Sequence, residues 1–230
     1  MSAFFEESVY FGVLVSLCAY GLGVLLKKKT KLGCMNPLLI SIIVTILIVL
    51  TFHIDYDTYY EGAKYISYLL TPATVCLAIP LYEKFEQLKK NKTAILIGIT
   101  SGVLTSLVTI LVLSVLFHFD HQEYVTFLPK SITTAIGMGV SEELGGFVSI
   151  TVTVIILTGV LGNVLAEVLF RLFRIQEPIA RGVALGTASH AIGTAKAMEF
   201  GETEGAMSSL SIVVAGILTV VGSGLFAQLY

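Results

Sequence analysis

Long uninterrupted apolar runs, recurring along the chain, constrain this sequence more than any other feature. Residues 9–26, 93–117, 148–170 and 207–229 each approach or exceed the roughly 20 residues that a bilayer core demands of a helix. Residues 37–52 form a shorter run that Leu32 and Met35 extend. Three more stretches are apolar but interrupted. Residues 66–82 contain Thr71-Pro72 and Pro80. Residues 125–146 contain Pro129, Lys130, Gly137, Gly139 and the Glu142-Glu143 pair. Residues 179–200 contain Gly182, Gly186, His190, Gly193 and Lys196. Lipid offers backbone groups no water, so spans of this kind must be helical. The expected fold is an all-α polytopic membrane protein with about seven or eight hydrophobic segments. Charged residues make up only 13% of the chain, about half the ~25% of a soluble domain. No polar linker or charge block divides the 230 residues, so residues 1–230 read as a single membrane domain. No broad basic face is present, which speaks against nucleic acid as a partner. Glu6 and Glu7 precede the first run, where a cleaved leader would carry basic residues, so that run reads as a permanent span. Cys18 and Cys76 lie in apolar runs and read as small packed hydrophobes.

Lysine and arginine in short loops set the orientation. Lys27, Lys28, Lys29 and Lys31 follow the first run, Lys84, Lys89, Lys90 and Lys92 precede the fourth, and Arg171, Arg174 and Arg181 follow residues 148–170. These loops are expected in the cytoplasm and the loops 53–61 and 118–123 outside. Residues 125–146 then enter from outside and return, forming a re-entrant segment. Sliding the chain by about half its length lays residues 9–26 on 124–141 and 93–117 on 208–230. The same shift lays Pro72-Ala73-Thr74 on Thr187-Ala188-Ser189. Structural repeats 1–117 and 118–230 follow, with the last three spans of each half running in opposite directions: an inverted repeat with two broken helices.

The breaks are where chemistry fits. Thr71-Pro72-Ala73-Thr74 is expected to break a helix in mid-span, because proline lacks an N–H and crowds the preceding turn. The run from Gly186 through Thr187, Ser189, His190 and Gly193 to Thr194 suits an unwound or close-packed stretch. Two half-helix N-termini facing one another would hold a carboxylate, and the Thr71, Thr74, Thr187, Ser189 and Thr194 hydroxyls would add donors. Plain helix packing through small residues is the competing reading of each break. His190, the one histidine inside an apolar segment, reads either as an aid to an anionic substrate or as a hydrogen-bonded structural residue. Lys130, beside Ser131, Thr133 and Thr134, either draws anions near the outer mouth or snorkels at the interface. Glu142 and Glu143 bind a coupling cation or end their segment at the surface. Asn163 and Glu167, four apart, share a face expected to look inward. The sequence carries no Walker A loop, no metal-binding His-x-x-x-His and no nucleophile elbow, so no enzyme, metal or cofactor is expected.

Three of these stretches carry a family resemblance. They are residues 70–82 around Thr71-Pro72-Ala73-Thr74, residues 128–134 with Gly145-Gly146, and residues 179–195 around Ser189-His190-Ala191. The chain resembles the LrgB/CidB family across nearly its whole length, and residues 131–133, 141–146 and 188–191 look closer to the CidB branch. The resemblance implies a multi-pass protein of the bacterial plasma membrane with a small LrgA/CidA-like membrane partner. It also implies a link to murein hydrolase activity and lysis, and kinship with the plastid glycolate/glycerate translocator. The expected function is a secondary transporter of small monocarboxylates, pyruvate- or glycolate-like, linked to control of cell lysis. The alternative is a holin/antiholin-like regulator of murein hydrolase activity that works through oligomerisation or the small partner. Expected partners are thus a small carboxylate, the LrgA/CidA-like protein, the bilayer and a second copy in a homodimer. The expected substrate-binding set is Thr71, Pro72, Ala73, Thr74, Lys130, Ser131, Thr133, Thr134, Thr187, Ser189, His190, Gly193 and Thr194.

Overall fold

The computed structural model describes residues 10–30, 36–76 and 78–230. Every described element is helical, and the residues divide into two compact units, 1–76 and 77–230. The helices α1 (Phe11–Thr30), α6 (Phe85–Phe117), α9 (Val148–Leu172) and α11 (Glu202–Phe226, running into a 3-10 turn at Ala227–Leu229) are long and apolar enough to cross a bilayer. In α6, α9 and α11 only 28% of the most apolar window is buried, so most of each surface is left for lipid or a partner. The chain is a multi-pass membrane protein.

In unit 1, α2 (Pro37–Thr51) starts where Asn36 Oδ1 accepts from Leu38 N at 2.8 Å and proline fills the first helical position. The helix α3 (Tyr56–Ser67) carries Asp57, Glu61 and Lys64 and is too polar and short to span. It is tied to α1 by Ser16, whose hydroxyl meets Tyr59 OH at 2.7 Å. Residues 66–82 are not one broken span. They comprise the end of α3, α4 (Leu70–Cys76) and, in unit 2, most of α5 (Ala78–Glu83). Nor does Pro72 make the break. The turn lies earlier, at Tyr68–Leu69, and Pro72 is the third residue of α4. There its missing N–H would have had no intrahelical partner, so the proline starts a helix rather than interrupting one. Cys18 and Cys76 are exposed, not packed.

Unit 2 holds the short α5, three long helices and two hairpins. The first hairpin is α7 (His121–Phe127) and α8 (Thr134–Glu143), joined by a turn at residues 128–133. At about 1.5 Å per residue neither arm reaches across the ~30 Å core. Its ends meet: Gln122 Nε2 donates to Gly145 O at 2.9 Å, and Phe147 N donates to Thr126 Oγ1 at 2.8 Å. The segment therefore returns to the side it entered, as a re-entrant element does. The second hairpin is α10 (Pro178–Phe200), interrupted at His190, whose φ of 43° and ψ of −137° are not helical. Gly182 and Met198, on opposite arms, both pack at Glu204–Gly205 of α11, and Gly186 and Thr194 both pack at Ser208. So α10 also doubles back. Gly182 and Gly186 let its first arm lie directly on the α11 backbone, the close approach that holds helices together where lipid is as apolar as leucine.

The directions depart from the sequence expectation at one place. Lys84 pairs with Glu202 at 3.0 Å, and at the far end Tyr230 OH donates to Phe119 O at 2.7 Å. Hence α6 and α11, which the half-chain shift superposes, run the same way, because residues 179–200 do not cross. The inverted relation lies elsewhere, between α6 with the first hairpin and α9 with the second, 56 positions apart. Val112-Leu113 and Leu116-Phe117 recur as Val168-Leu169 and Leu172-Phe173. Ala135-Ile136-Gly137 recurs as Ala191-Ile192-Gly193, and Glu143 and Gly145 recur as Glu199 and Gly201. The geometry keeps the same register. His118 and Arg174 both take left-handed φ values, 55° and 54°. Phe119 N reaches back to Ser114 O at 3.0 Å, and Ile175 N to Phe170 O at 2.8 Å. The first hairpin sits at the end of unit 2 that carries Asp120, Glu123, Glu142 and Glu143, and the second at the end that carries Lys84, Arg171 and Arg174.

Candidate binding cleft between a long helix and the two hairpins

One face of α6 bears small and hydroxylated residues at helical spacing: Gly98, Ser101, Gly102, Thr105, Ser106 and Thr109. This face and the first arm of α10 enclose a cleft of about 770 Å³. Asn91 and Glu177 line it towards the basic end, and Lys130 and Ser131 line it from the turn of the opposite hairpin. Both hairpins thus contribute to one cavity.

Lys130 sets its electrostatics. The ammonium donates to Ser131 Oγ at 2.9 Å, and Ser131 Oγ lies 3.4 Å from Ser106 Oγ. No carboxylate lies within ion-pair distance of Lys130 among the described residues. An ammonium with one hydroxyl partner has donors to spare, and a partly buried cation lacking a counter-charge is costly unless an anion joins it. Across the cleft Thr187 is 7% exposed, and its Oγ1 has no hydrogen-bond partner. Its methyl faces Gly102, where a Cβ would come within 2.8 Å of Thr187 Cγ2. Around Lys130 the cleft therefore offers one positive charge, several hydroxyls and apolar walls, a donor set suited to a small monoanion, while its one carboxylate, Glu177, lines the opposite, basic end.

The LrgB-like family matches residues 16–229, a stretch that runs through both units. Two relatives bear the name antiholin-like protein LrgB. That of Bacillus mycoides (strain KBAB4) is 39% identical over 92% of this chain and 93% of its own length. That of Bacillus cereus (strain B4264) is 38% identical over the same shares. The chain belongs to the LrgB-like family. No solved structure matches it.

In this LrgB-like chain the expected site residues fall into three groups. Lys130, Ser131 and Thr187 line the cleft. Thr133 and Thr134 start α8 just beyond the turn, half-buried, and Thr133 makes no side-chain cap. The second group, Ser189, His190, Gly193 and Thr194, holds the turn of α10. His190 is 3% exposed and is not among the cleft residues. Its Nε2 lies 3.0 Å from Ile155 O, and its ring fills the space that Gly159 leaves on α9. Ser189 packs into the space at Gly162. Thr194 Oγ1 donates to His190 O at 3.1 Å and meets Ser208 Oγ at 2.7 Å. Gly193 faces Leu185, where a Cβ would stand 2.5 Å from the Leu185 carbonyl oxygen.

The third group, Thr71, Pro72, Ala73 and Thr74, belongs to unit 1. Pro72 and Ala73 are exposed there, and the side chains of Thr71 and Thr74 lie outside the described residues. Within unit 2 the segment that shares a cavity with residues 187–188 is the Lys130 turn. Asn163 is buried as expected and its Nδ2 donates to Ile192 O at 3.0 Å, whereas Glu167 is exposed and its Oε1 accepts from Lys196 Nζ at 2.8 Å. Lys196 is buried in that pair. Glu142 and Glu143 are exposed at the end of α8. The α6 hydroxyl face lies inside an unbroken apolar run, so neither a proline nor a charge marks it in the sequence. Its signal was the recurrence of small polar residues every three to four positions.

Proposed function

We propose that this chain takes part in the control of lysis as an antiholin-like membrane protein, and that its molecular activity is the passage of a small monocarboxylate, pyruvate- or glycolate-like. The relatives' name supports the first part. One observation carries the second: Lys130, without a carboxylate partner, stands where two oppositely directed hairpins line the same cleft. The substrate carboxylate would take the free donors of Lys130 and the hydroxyls of Ser131 and Thr187, with the small apolar remainder against Val183 and Ala184. The two faces of the inverted pair differ in a way that suits alternating access. The cleft between α6 and α10 is open. Its counterpart between α9 and the first hairpin is shut by Thr151 Oγ1, which lies 2.9 Å from Thr126 O and 2.7 Å from Ser141 Oγ. Exchange of the two arrangements would present Lys130 to one side and then the other.

The test is uptake of labelled pyruvate and glycolate by purified protein in liposomes under a pH gradient. The expected result is saturable uptake that Lys130→Met lowers by about tenfold to a hundredfold. Absence of uptake of any small acid, together with leakage of large dyes, would overturn the carrier. That outcome would favour a second reading to which the antiholin-like name also points: a regulator that works through its own oligomers or a small LrgA-like membrane protein. Running the assay with and without such a partner separates the two.

A further inference from the structure

A second hollow of about 360 Å³ opens at the basic end of unit 2, away from Lys130. Arg171, Arg174 and Arg181 converge on it, with Glu167, Phe170 and Phe200 completing the walls that matter. The three guanidiniums make no ion pair among the described residues. The one carboxylate in the wall, Glu167, makes its ion pair with Lys196, which also pairs with Glu199 at 2.9 Å, so the three guanidiniums still outnumber the acidic charge beside them. Arg181 is held in place: its Nε donates to Ile175 O at 2.8 Å, and its guanidinium carbon stands 5.7 Å from the centroid of the Phe170 ring. Arg174 follows the last turn of α9 in a left-handed conformation, φ 54°, a position where glycine is the usual residue. Charge that served only to fix orientation would need neither a concave site nor a guanidinium stacked on a ring.

We propose that this hollow binds a phosphate group. Guanidiniums present paired donors that match phosphate oxygens, and three around one cavity suit a phosphate better than a lone carboxylate. The hollow lies at the end of a membrane-crossing helix, on the face that the charge rule puts in the cytoplasm. There the phosphodiester of an anionic phospholipid headgroup is the source at hand, and basic pockets between transmembrane helices hold such headgroups. A soluble phosphate ester offers the same chemistry. The site shares no lining residue with the Lys130 cleft, and the proposal does not depend on what that cleft carries.

The experiment uses the full chain in a neutral detergent. Thermal unfolding and native mass spectrometry are recorded with phosphatidylglycerol, phosphatidylcholine, inorganic phosphate and glycerol phosphate. Phosphatidylglycerol is expected to raise the unfolding midpoint and stay bound, with phosphatidylcholine doing neither. The doubly substituted R171Q/R174Q, whose two arginines are exposed, is expected to fold and to lose about fivefold in lipid affinity per charge removed. The same dependence on Arg171 and Arg174 seen with glycerol phosphate or inorganic phosphate alone would keep the site and assign it to a soluble ligand. Equal retention of the two lipids, unchanged in R171Q/R174Q and with no shift from either soluble phosphate, would overturn the proposal.

Discussion

The two hairpins of unit 2 share a pattern 56 positions apart and differ at their turns. In the first, the turn spreads over residues 128–133 and carries Lys130 into the cleft. In the second, the turn is compressed onto one residue, His190, locked between Ile155 O and the gap at Gly159. The first is an open loop that presents a charge, the second a tight bend that buries its polar groups. Position 137 and position 193 tell the same story. A Cβ at Gly137 would meet the far end of Ile155 and stay 3.5 Å from Pro129 O, whereas one at Gly193 would meet the Leu185 carbonyl at 2.5 Å. Equivalent glycines thus answer to different neighbours. The difference teaches that an inverted repeat shares a path of the chain and not a site: one copy brings a charged turn to the cleft, and the other a close-packed arm that forms its wall.

That asymmetry can be broken at four levels. Gly193→Ala should cost about 3 kcal/mol, since a backbone carbonyl cannot step aside, and Gly137→Ala about 1 kcal/mol, since Ile155 can change rotamer. Thermal or denaturant unfolding in detergent checks both, and equal losses would void the distinction. Lys130→Met should lower carboxylate uptake by about tenfold to a hundredfold, the worth of one charge-assisted hydrogen bond, and leave the unfolding midpoint nearly unchanged. His190→Ala should do the reverse. It removes a buried ring and its hydrogen bond, costing about 2 kcal/mol, while its repeat equivalent Thr134→Ala should stay within about 0.5 kcal/mol. Uptake by His190→Ala, scaled to folded protein, should match the parent; a selective loss of transport would move His190 into the binding set. The smallest effect belongs to Thr187→Val. Its hydroxyl has no partner, so stability should hold or rise by up to about 1 kcal/mol, while the apparent affinity for the carboxylate falls several-fold. Destabilisation instead would mean that the hydroxyl is a structural donor.

Sidedness sharpens the same contrast. Single cysteines at positions 121 and 143 should react with an impermeant reagent added outside, and one at position 176 should not, because the two hairpins open at opposite ends of unit 2.

Much of the architecture was legible. The long spans follow from apolar length alone, and the re-entrant course of residues 125–146 followed from where the arginines must lie. The second hairpin was half legible: its glycines and His190 marked a break, but a break that bends a crossing helix and one that reverses it read alike in sequence. The 56-residue repeat was present in the letters, in Ala135-Ile136-Gly137 and Ala191-Ile192-Gly193, and a half-chain shift steps over it. Pro72 misled because proline interrupts a helix only when turns precede it, and the end of α3 at Ser67 is a tertiary outcome.

The sequence by itself determined that this chain lives in lipid and that residues 125–146 and 179–200 do not run as single straight helices. Those properties rest on local costs: the burial of charge, the loss of an N–H, the length of an apolar run. Only the tertiary structure decided that Lys130 and Thr187 share a cavity while His190 does not. Which groups converge depends on the direction each arm takes after a break, and that direction is set by contacts such as Gly182 on Glu204 and Gly193 on Leu185, between residues that no local pattern pairs.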